Sequence, residues 1–296
     1  MSVFAFTSLQ YAILLRRELG LRNQQFAKAN RLPHSLSYGE EPAVLYEPYA
    51  DGALHGNFFP AAYQAILKNG EWKRRLHKHH AQARKSLPPS DRGGWSELDS
   101  SNSSDALLMN IFCSPGVLAE GPVPLLLGIE DGCIPEFGHR ARVPLASGNV
   151  DRTEIDMRLG DLLLEAKLTE GDFQCKYKEY VDRYRDLDEV FDRELLPLRN
   201  GRHPGYQLIR NVLAAHALGC SFCVLIDQRR PDLKEIWYSI LRAIKSPLLR
   251  VRCKMLTWQE AAEALPEGLR EFLSQKYGIV REQDEKEILL SDGFME

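Results

Sequence analysis

The sequence lacks any apolar run long enough to cross a bilayer, and its 21 glycines and 16 prolines follow no period. We therefore expect neither a membrane protein nor a collagen-like or coiled-coil chain. The first 20 residues lack a basic leader and an A-x-A-like cleavage site, which favours a short amphipathic helix over a signal peptide. Cysteine is scarce: six in 296 residues do not make a disulfide framework and indicate reduced, mostly buried thiols in a cytoplasmic protein.

A marked excess of either charge is also missing, because the formal net charge is −3 and the isoelectric point is near 6.3. This balance argues against a histone-like nucleic-acid binder but is compatible with a local basic cleft. A composition of 44% hydrophobic and 27% charged residues excludes a mainly disordered chain and suffices for one large domain or two small ones. No Gly-rich phosphate loop, HExxH or G-x-S-x-G motif is present, and we expect no organic cofactor.

The composition divides the chain near residue 95. Residues 1–95 are predicted to be an accessory region, in which residues 61–85 form a helix with a basic second half. That half offers possible nucleic-acid contacts, although a solvated helix face explains its charges at least as well. These candidate contacts are Lys73, Arg74, Arg75 and Lys78. Residues 96–296 are predicted to form the main core with C-terminal helices.

From residue 104 onward, helical and extended patterns alternate, which indicates an α/β fold with a mixed sheet. The predicted helices are residues 105–113, 176–196, 206–218, 233–244 and 257–277. The predicted strands are residues 124–129, 153–159, 162–169 and 221–227.

Three charged residues stand out in two neighbouring predicted strands. Glu165 and Lys167 are two positions apart in a Leu-rich strand, so their side chains leave the same face. Charges in a central strand are costly unless they are paired or bind a metal. Asp156 lies on the polar face of the preceding strand, and a tight turn at Gly160-Asp161 would bring it close to both. The sequence therefore predicts two carboxylates and one ammonium on one face of the sheet.

Such a cluster suits metal-dependent phosphodiester hydrolysis. Asp156 and Glu165 would supply hard oxygen ligands for Mg²⁺, with the carbonyl of Ala166 as a further ligand. Lys167 would position or activate the attacking water, or stabilise charge on the phosphate. The alternative is an exposed edge hairpin with cross-strand ion pairs and no catalytic role. Glu154 competes with Asp156 for its role, because it shares the polar face.

Two residues on the predicted helix 206–218 extend the candidate site. Gln207 would support it by reaching the water or the phosphate, and the alternative is an ordinary amide on the helix surface. Arg210 would contact phosphate, and the alternative is a solvated side chain. Cys220 and Cys223 form a lone CxxC at the start of a predicted strand, so we expect small buried residues rather than metal ligands.

Asp156 followed by Glu165-Ala166-Lys167 resembles the bipartite motif of the PD-(D/E)XK nuclease superfamily. The flanking segments resemble a group of uncharacterised bacterial members of that superfamily, and the likeness spans roughly residues 95–230. The similar segments are Asn102–Leu107, Asn110–Phe112, Lys167–Glu170 and Gln207–Asn211. The chain departs from the pattern at Asp105, where that group has Gln, and at Ile155, which replaces the Pro before the motif's Asp.

The resemblance implies a restriction-endonuclease-like fold, a mixed β-sheet flanked by helices within residues 96–296, with an additional N-terminal helical or irregular region. It also implies a Mg²⁺-dependent endonuclease acting on DNA, of a type II restriction or phage-defence kind, in which Mn²⁺ substitutes for Mg²⁺. Because double-strand cleavage needs two sites, a homodimer is expected. The alternatives are a catalytically silent DNA- or protein-binding subunit of a defence or repair system, and a nuclease acting on RNA or on single strands.

Overall fold

The computed structural model describes residues 7–80, 86–119 and 121–280. Contacts divide the chain into two compact units, each of which combines two stretches of sequence. The described residues within Met1–Ala12 and Cys133–Leu256 form the sheet unit, and those within Ile13–Gly132 and Thr257–Glu296 form the helical unit. The division near residue 95 that the composition suggested stays a prediction.

The elements of the described residues are numbered along the chain. The α-helices are α1 (Ser8–Ala29), α2 (Pro60–Lys68), α3 (Gly70–Arg75), α4 (Ser104–Phe112), α5 (Pro122–Leu127), α6 (Lys178–Val181), α7 (Leu187–Val190), α8 (Tyr206–Leu218), α9 (Pro231–Leu241), α10 (Pro247–Arg252), α11 (Trp258–Glu263) and α12 (Glu267–Tyr277). The β-strands are β1 (His34–Leu36), β2 (Val44–Tyr46), β3 (Glu136–Arg140), β4 (Val143–Pro144), β5 (Val150–Asp151), β6 (Glu154–Leu159), β7 (Leu162–Ala166), β8 (Cys175–Tyr177), β9 (Arg202–Pro204), β10 (Ser221–Ile226) and β11 (Cys253–Thr257). Within this part of the chain, no helix combines the length and the apolar character that a bilayer span requires.

The sheet unit is built on a five-stranded sheet in the order β11-β10-β7-β6-β3. The central strand β7 pairs antiparallel with β6 and parallel with β10, and β3 pairs antiparallel with β6. The sheet is therefore mixed, and α8 and α9 share its hydrophobic core. This architecture confirms the predicted α/β class, a mixed sheet flanked by helices as in restriction endonucleases.

The hairpin of β6 and β7 forms because the sequence supplies an alternating strand and then a turn. Every second side chain of β6 from Ile155 to Leu159 is buried, and all of β7 is buried. Leu159 pairs with Leu162, which leaves a two-residue loop of Gly160 and Asp161. Gly160 has φ +57°, a left-handed conformation that glycine adopts without steric cost. The two predicted strands and their turn are confirmed, except that β7 ends at Ala166 and not at residue 169.

Helix α8 packs against β7 and β10 and coincides with the predicted helix 206–218. Gly205 precedes it and Gly219 follows it, both in the left-handed conformation, so the helix has defined ends. Its apolar side chains, such as Leu208 and Val212, are buried in the core that also contains Leu163 of β7. The polar residues at the start of α8 are therefore held against the centre of the sheet.

In the helical unit, the prediction of a single helix over residues 61–85 is wrong. α2 and α3 are separate helices, because the side chain of Asn69 accepts hydrogen bonds from the backbone amides of Glu71 and Trp72 and so starts a new helix. α3 ends at Arg75, and residues 81–85 lie outside the described residues.

Three further predictions of local structure are wrong. The predicted helix 257–277 is divided into α11 and α12, with Pro266 immediately before α12. The apolar run 124–129 lies mostly in α5 rather than in a strand, because Pro122 starts the helix and Gly128, with φ +62°, ends it. The region 176–196 contains β8 and two short helices, α6 and α7, instead of one long helix. The cysteine prediction is confirmed: all six are free thiols, and four of them, including Cys220 and Cys223, are buried.

Candidate active site

Glu165 is the centre of the candidate site. Its side chain is fully buried on β7, yet each carboxylate oxygen accepts hydrogen bonds from neighbouring side chains. Lys167 Nζ donates to Oε1 at 2.6 Å, Gln207 Nε2 donates to the same oxygen at 2.8 Å, and Asn211 Nδ2 donates to Oε2 at 2.8 Å. A buried carboxylate is tolerated only with such partners, so these four residues form one interdependent cluster.

Lys167 follows β7 and remains a cation in this setting. Its side chain is 7% exposed, and burial by itself would lower the pKa of its ammonium. The carboxylates of Glu165, Asp156 and Glu170 outweigh that effect and raise the pKa of Lys167 above its ordinary value. The ammonium also lies 5.8 Å from the centre of the Phe173 ring. Lys167 can therefore donate hydrogen bonds and stabilise negative charge.

Asp156 joins the site where β6 and β7 stop pairing. Their register ends at Met157 and Leu164, and beyond it the side chain of Asp156 accepts a hydrogen bond from the Ala166 amide at 2.8 Å. On its other side β7 continues to pair with β10, where Ala166 lies opposite Leu225. The Asp156 carboxylate is thus fixed to the residue between Glu165 and Lys167, as the hairpin predicts.

Helix α8 brings two amides to Glu165. Gln207 was expected from the sequence, whereas Asn211 was missed, although its spacing of four residues from Gln207 places both on one helix face. Arg210 is 2% exposed, and its guanidinium donates to Asn211 Oδ1 at 3.0 Å and to the Glu154 carbonyl at 2.9 Å. This contact orients the Asn211 amide so that its NH₂ group faces Glu165. The predicted contact of Arg210 with phosphate stays a prediction.

The loop after β7 is held by Arg230, which sequence reasoning also missed. Its buried guanidinium donates to the carbonyls of Glu170 at 2.6 Å and Gly171 at 3.0 Å, and it pairs with Asp232 at 2.8 Å. Glu170 Oε2 accepts from the backbone amide of Leu168 at 2.6 Å. These contacts fix the backbone that follows the charged end of β7.

Asp156 and Glu165 carry the hard-oxygen groups that the predicted Mg²⁺ ion would need. Within the described ranges, no group of three or more His, Cys, Asp or Glu side chains is arranged to hold a metal. Asp156 and Glu165 are two hard-oxygen ligands, and Mg²⁺ commonly takes one or two carboxylates from a protein and keeps several waters. The local field favours a cation, since Glu165, Asp156 and Glu170 all raise the pKa of Lys167. The ligand roles of Asp156, Glu165 and Ala166 stay predictions.

The basic residues expected to contact nucleic acid lie in the helical unit in differing settings. Arg75 and Lys78 donate to the buried carboxylate of Asp105 at 2.8 and 2.6 Å. Burial would raise the pKa of Asp105, but Lys78 and Arg75 outweigh it and lower that pKa. Arg74 forms an exposed ion pair within its own helix, and Lys73 is exposed. Their contacts with nucleic acid stay predictions.

The mixed sheet, with an acid on one central strand and Glu-x-Lys at the end of the next, defines a restriction-endonuclease-like protein. The family model described as "Restriction Endonuclease associating with ARP" matches residues 21–278, and the chain therefore belongs to that family. No curated protein and no solved structure matches the chain. Membership of this family indicates a nuclease.

Proposed function

We propose that the protein is a Mg²⁺-dependent endonuclease that hydrolyses phosphodiester bonds in DNA. The observation that carries this proposal is the buried cluster in which Lys167 contacts Glu165 at 2.6 Å while Asp156 is anchored on the intervening Ala166. A cluster of opposite charges at the centre of a sheet is costly to bury, and apolar residues of similar volume would stabilise the fold as well or better. Its presence in a restriction-endonuclease family favours a catalytic role.

In this proposal, Asp156 and Glu165 hold the cation, with the Ala166 carbonyl as a third ligand, and Mn²⁺ substitutes for Mg²⁺. When bound, the ion supplies Lewis-acid activation of water and neutralises charge at the phosphate. Lys167 keeps its proton on Nζ, because the surrounding carboxylates raise its pKa, and it donates hydrogen bonds to a phosphate oxygen or to the attacking water. Gln207 and Asn211 keep the Glu165 carboxylate in place.

The test is cleavage of a supercoiled plasmid with Mg²⁺ and with EDTA. We expect Mg²⁺-dependent cleavage by the parent, and a loss of about a hundredfold or more in Glu165→Gln and Lys167→Met, since each removes one charged group from the site. Asp156→Asn should behave in the same way. Glu154→Gln is the matched control, because Glu154 lies on the same face of β6 and its carboxylate is near Arg140 instead. Equal cleavage by the parent and all three site variants would overturn the assignment.

One observation favours a second candidate, a catalytically silent DNA- or protein-binding subunit. Both oxygens of Glu165 are already satisfied by Lys167, Gln207 and Asn211, so the carboxylate is stable without a metal. DNA affinity without Mg²⁺-dependent turnover would support this candidate. Parallel assays on duplex DNA, single-stranded DNA and RNA at one stated salt concentration identify the preferred nucleic acid.

A further inference from the structure

Two cationic side chains of the sheet unit lie over the rings of tyrosines next to the candidate site. Lys176 Nζ lies 5.5 Å from the centre of the Tyr180 ring and 6.0 Å from that of Tyr206. The guanidinium of Arg183 lies 3.8 Å from the centre of the Tyr180 ring. We call Lys176, Tyr180, Arg183 and Tyr206 the cation–tyrosine surface. Lys176 is half-buried and Arg183 is exposed, so both cations can reach a ligand in solvent.

Three cations close to them along the chain are neutralised by carboxylates, whereas Lys176 and Arg183 are not. Lys178 pairs with Asp182 at 2.5 Å, Arg185 pairs with Asp186 at 2.7 Å, and Arg193 pairs with Asp188. In the part of the chain that the structure describes, neither Lys176 nor Arg183 has a carboxylate within ion-pair distance. Their positive charge is therefore available to an external anion.

The tyrosines beneath these cations are held in place by hydrogen bonds and by ring contacts. Tyr184 donates to Asp151 Oδ2 at 2.6 Å, and its hydroxyl lies 2.7 Å from that of Tyr206. The rings of Tyr180 and Tyr206 meet edge to face with centres 5.4 Å apart. Contact with an aromatic face restricts the motion of a cation at a surface, so less conformational entropy is lost when an anion binds.

The cation–tyrosine surface continues directly into the candidate site. Tyr206 is the first residue of α8, and Gln207, the next residue, donates to Glu165. The amides of Tyr206 and Gln207 donate to the carbonyls of Gln174 and Phe173, both at 3.0 Å, and the Phe173 ring contacts Lys167. Through these contacts, the backbone just before Lys176 is hydrogen-bonded to the start of α8, and both segments lie next to the charged cluster on β7.

We propose that Lys176 and Arg183 bind backbone phosphates of the DNA strand next to the bond that is hydrolysed at Glu165. This proposal rests on the proposed nuclease function and names the residues that position its substrate. Lys and Arg contacts to phosphates fix the register of a protein on DNA and supply salt-dependent affinity, and two unpaired cations beside the site suit that role. The nucleic-acid contact is therefore placed in the sheet unit, beside α8.

The experiment measures DNA affinity as a function of NaCl concentration by fluorescence anisotropy, with a short duplex and EDTA so that no cleavage occurs. For Lys176→Gln with Arg183→Gln, the slope of log K against log salt should become shallower by about 1.8 in total, which corresponds to two lost phosphate contacts. Lys176→Arg with Arg183→Lys keeps both charges and should retain the parental slope.

The matched control is Arg199→Gln with Arg202→Gln. It also removes two exposed cations that have no carboxylate partner among the described residues. Arg202 pairs across the ladder with Tyr177, whereas Lys176 pairs with His203, so Arg202 and Lys176 lie on opposite faces of the β8–β9 ladder. We expect the control to change the slope by less than half as much. An unchanged slope in the first double variant, or an equal change in both, would overturn the proposal.

Failure of the surface and failure of the nuclease function give different results. If the parent cleaves DNA but the salt slope is unchanged by substitution of Lys176 and Arg183, the proposed phosphate contacts are wrong and the proposed nuclease function is retained. If substitution of Lys176 and Arg183 makes the salt slope shallower but the parent does not cleave DNA with Mg²⁺, the proposed DNA contact is supported and the catalytic assignment is wrong. A parent that binds no DNA at all would overturn both.

Discussion

Glu165 is a charged side chain whose burial is energetically costly for this fold. It is 0% exposed in the central strand, where an unpaired carboxylate would be very costly. Lys167 supplies the opposite charge, and Gln207 and Asn211 supply neutral donors for both oxygens. Removal of any one of these partners leaves the buried Glu165 carboxylate with too few hydrogen-bond donors. Substitutions here should therefore affect stability together with activity.

Lys167→Met tests this interdependence. We expect the free energy of unfolding to fall by about 3–5 kcal/mol, because the substitution leaves the buried Glu165 without its cation. The double variant with Glu165→Gln should recover most of that loss, since it removes both charges of the pair. Urea denaturation of the parent, both single variants and the double variant measures the coupling between the two residues.

Lys178→Met is the control for this prediction, because Lys178 pairs with Asp182 at a site where the lysine side chain is 47% exposed. Its effect should be about 0–1 kcal/mol. If Lys167→Met costs no more than this control, or if the double variant is no more stable than Lys167→Met, the cluster is not an interdependent unit.

Asp105 predicts how stability responds to acid. Lys78 and Arg75 hold its pKa below the ordinary value of 3.8, even though burial by itself would raise it. A carboxylate whose pKa is lowered by folding contributes stability that is fully present above 3.8 and is lost as the pH falls through its folded pKa. Asp105→Asn should therefore lower the free energy of unfolding at neutral pH and flatten its fall below 3.8.

The measurement is urea denaturation of the parent and Asp105→Asn from neutral pH to below 3.8. The difference in unfolding free energy between the two proteins should shrink as the pH falls. A difference that stays constant across the whole range would show that the Asp105 charge contributes nothing to the acid response.

At the scale of elements, the parts of the fold that follow local rules could be predicted from the sequence. β6 alternates buried and more exposed residues, Gly160 marks the turn, and α8 runs up to the glycine at 219. These signals also placed Asp156, Glu165 and Lys167 together, because the hairpin register follows from the turn.

The parts that could not be predicted are those in which the local sequence pattern is compatible with more than one structure. The short apolar run 124–129 suits a buried strand or a buried helix equally, and Pro122 and Gly128 decide it. Asn69 divides a helical stretch by capping a new helix, an effect visible only in its hydrogen bonds. The place of Asn211 in the site depends on how α8 packs on β7, which is a tertiary contact.

Gly160→Ala tests the turn that sets the hairpin register. Gly160 has φ +57°, and an added Cβ would lie 3.2 Å from the sulfur of Cys133. The variant should lose about 1–2 kcal/mol of stability, because an alanine is strained in the left-handed conformation. Thermal unfolding with a parallel cleavage assay measures both consequences, since a shifted hairpin would also displace Asp156.

Gly171→Ala is the matched control in the same unit. Its backbone does not adopt the left-handed conformation, and nothing lies within 4 Å of an added Cβ. We expect a change of less than about 1 kcal/mol. Equal losses in both variants would mean that the Gly160 turn imposes no special conformational demand.

At the scale of the whole molecule, the net charge of −3 gives no general attraction to DNA. In the proposed function, affinity for DNA would therefore come from local arrangements such as the cation–tyrosine surface. Within the described residues, the chain provides one cluster of the Asp156, Glu165 and Lys167 kind. In the proposed function, one such site would hydrolyse one strand at a time, so we infer that cleavage of both strands would require two copies of the chain.

Mixing active and inactive subunits tests this requirement. In a homodimer, the parent should convert supercoiled plasmid to the linear form, and added Glu165→Gln should shift the product toward nicked circles, because mixed dimers cut one strand. The shift should grow with the proportion of the variant, and gel electrophoresis separates the three plasmid forms. Glu154→Gln, mixed in the same proportions, should leave the product linear. If the parent alone yields nicked circles first at every protein concentration, each chain acts independently and the paired arrangement is wrong.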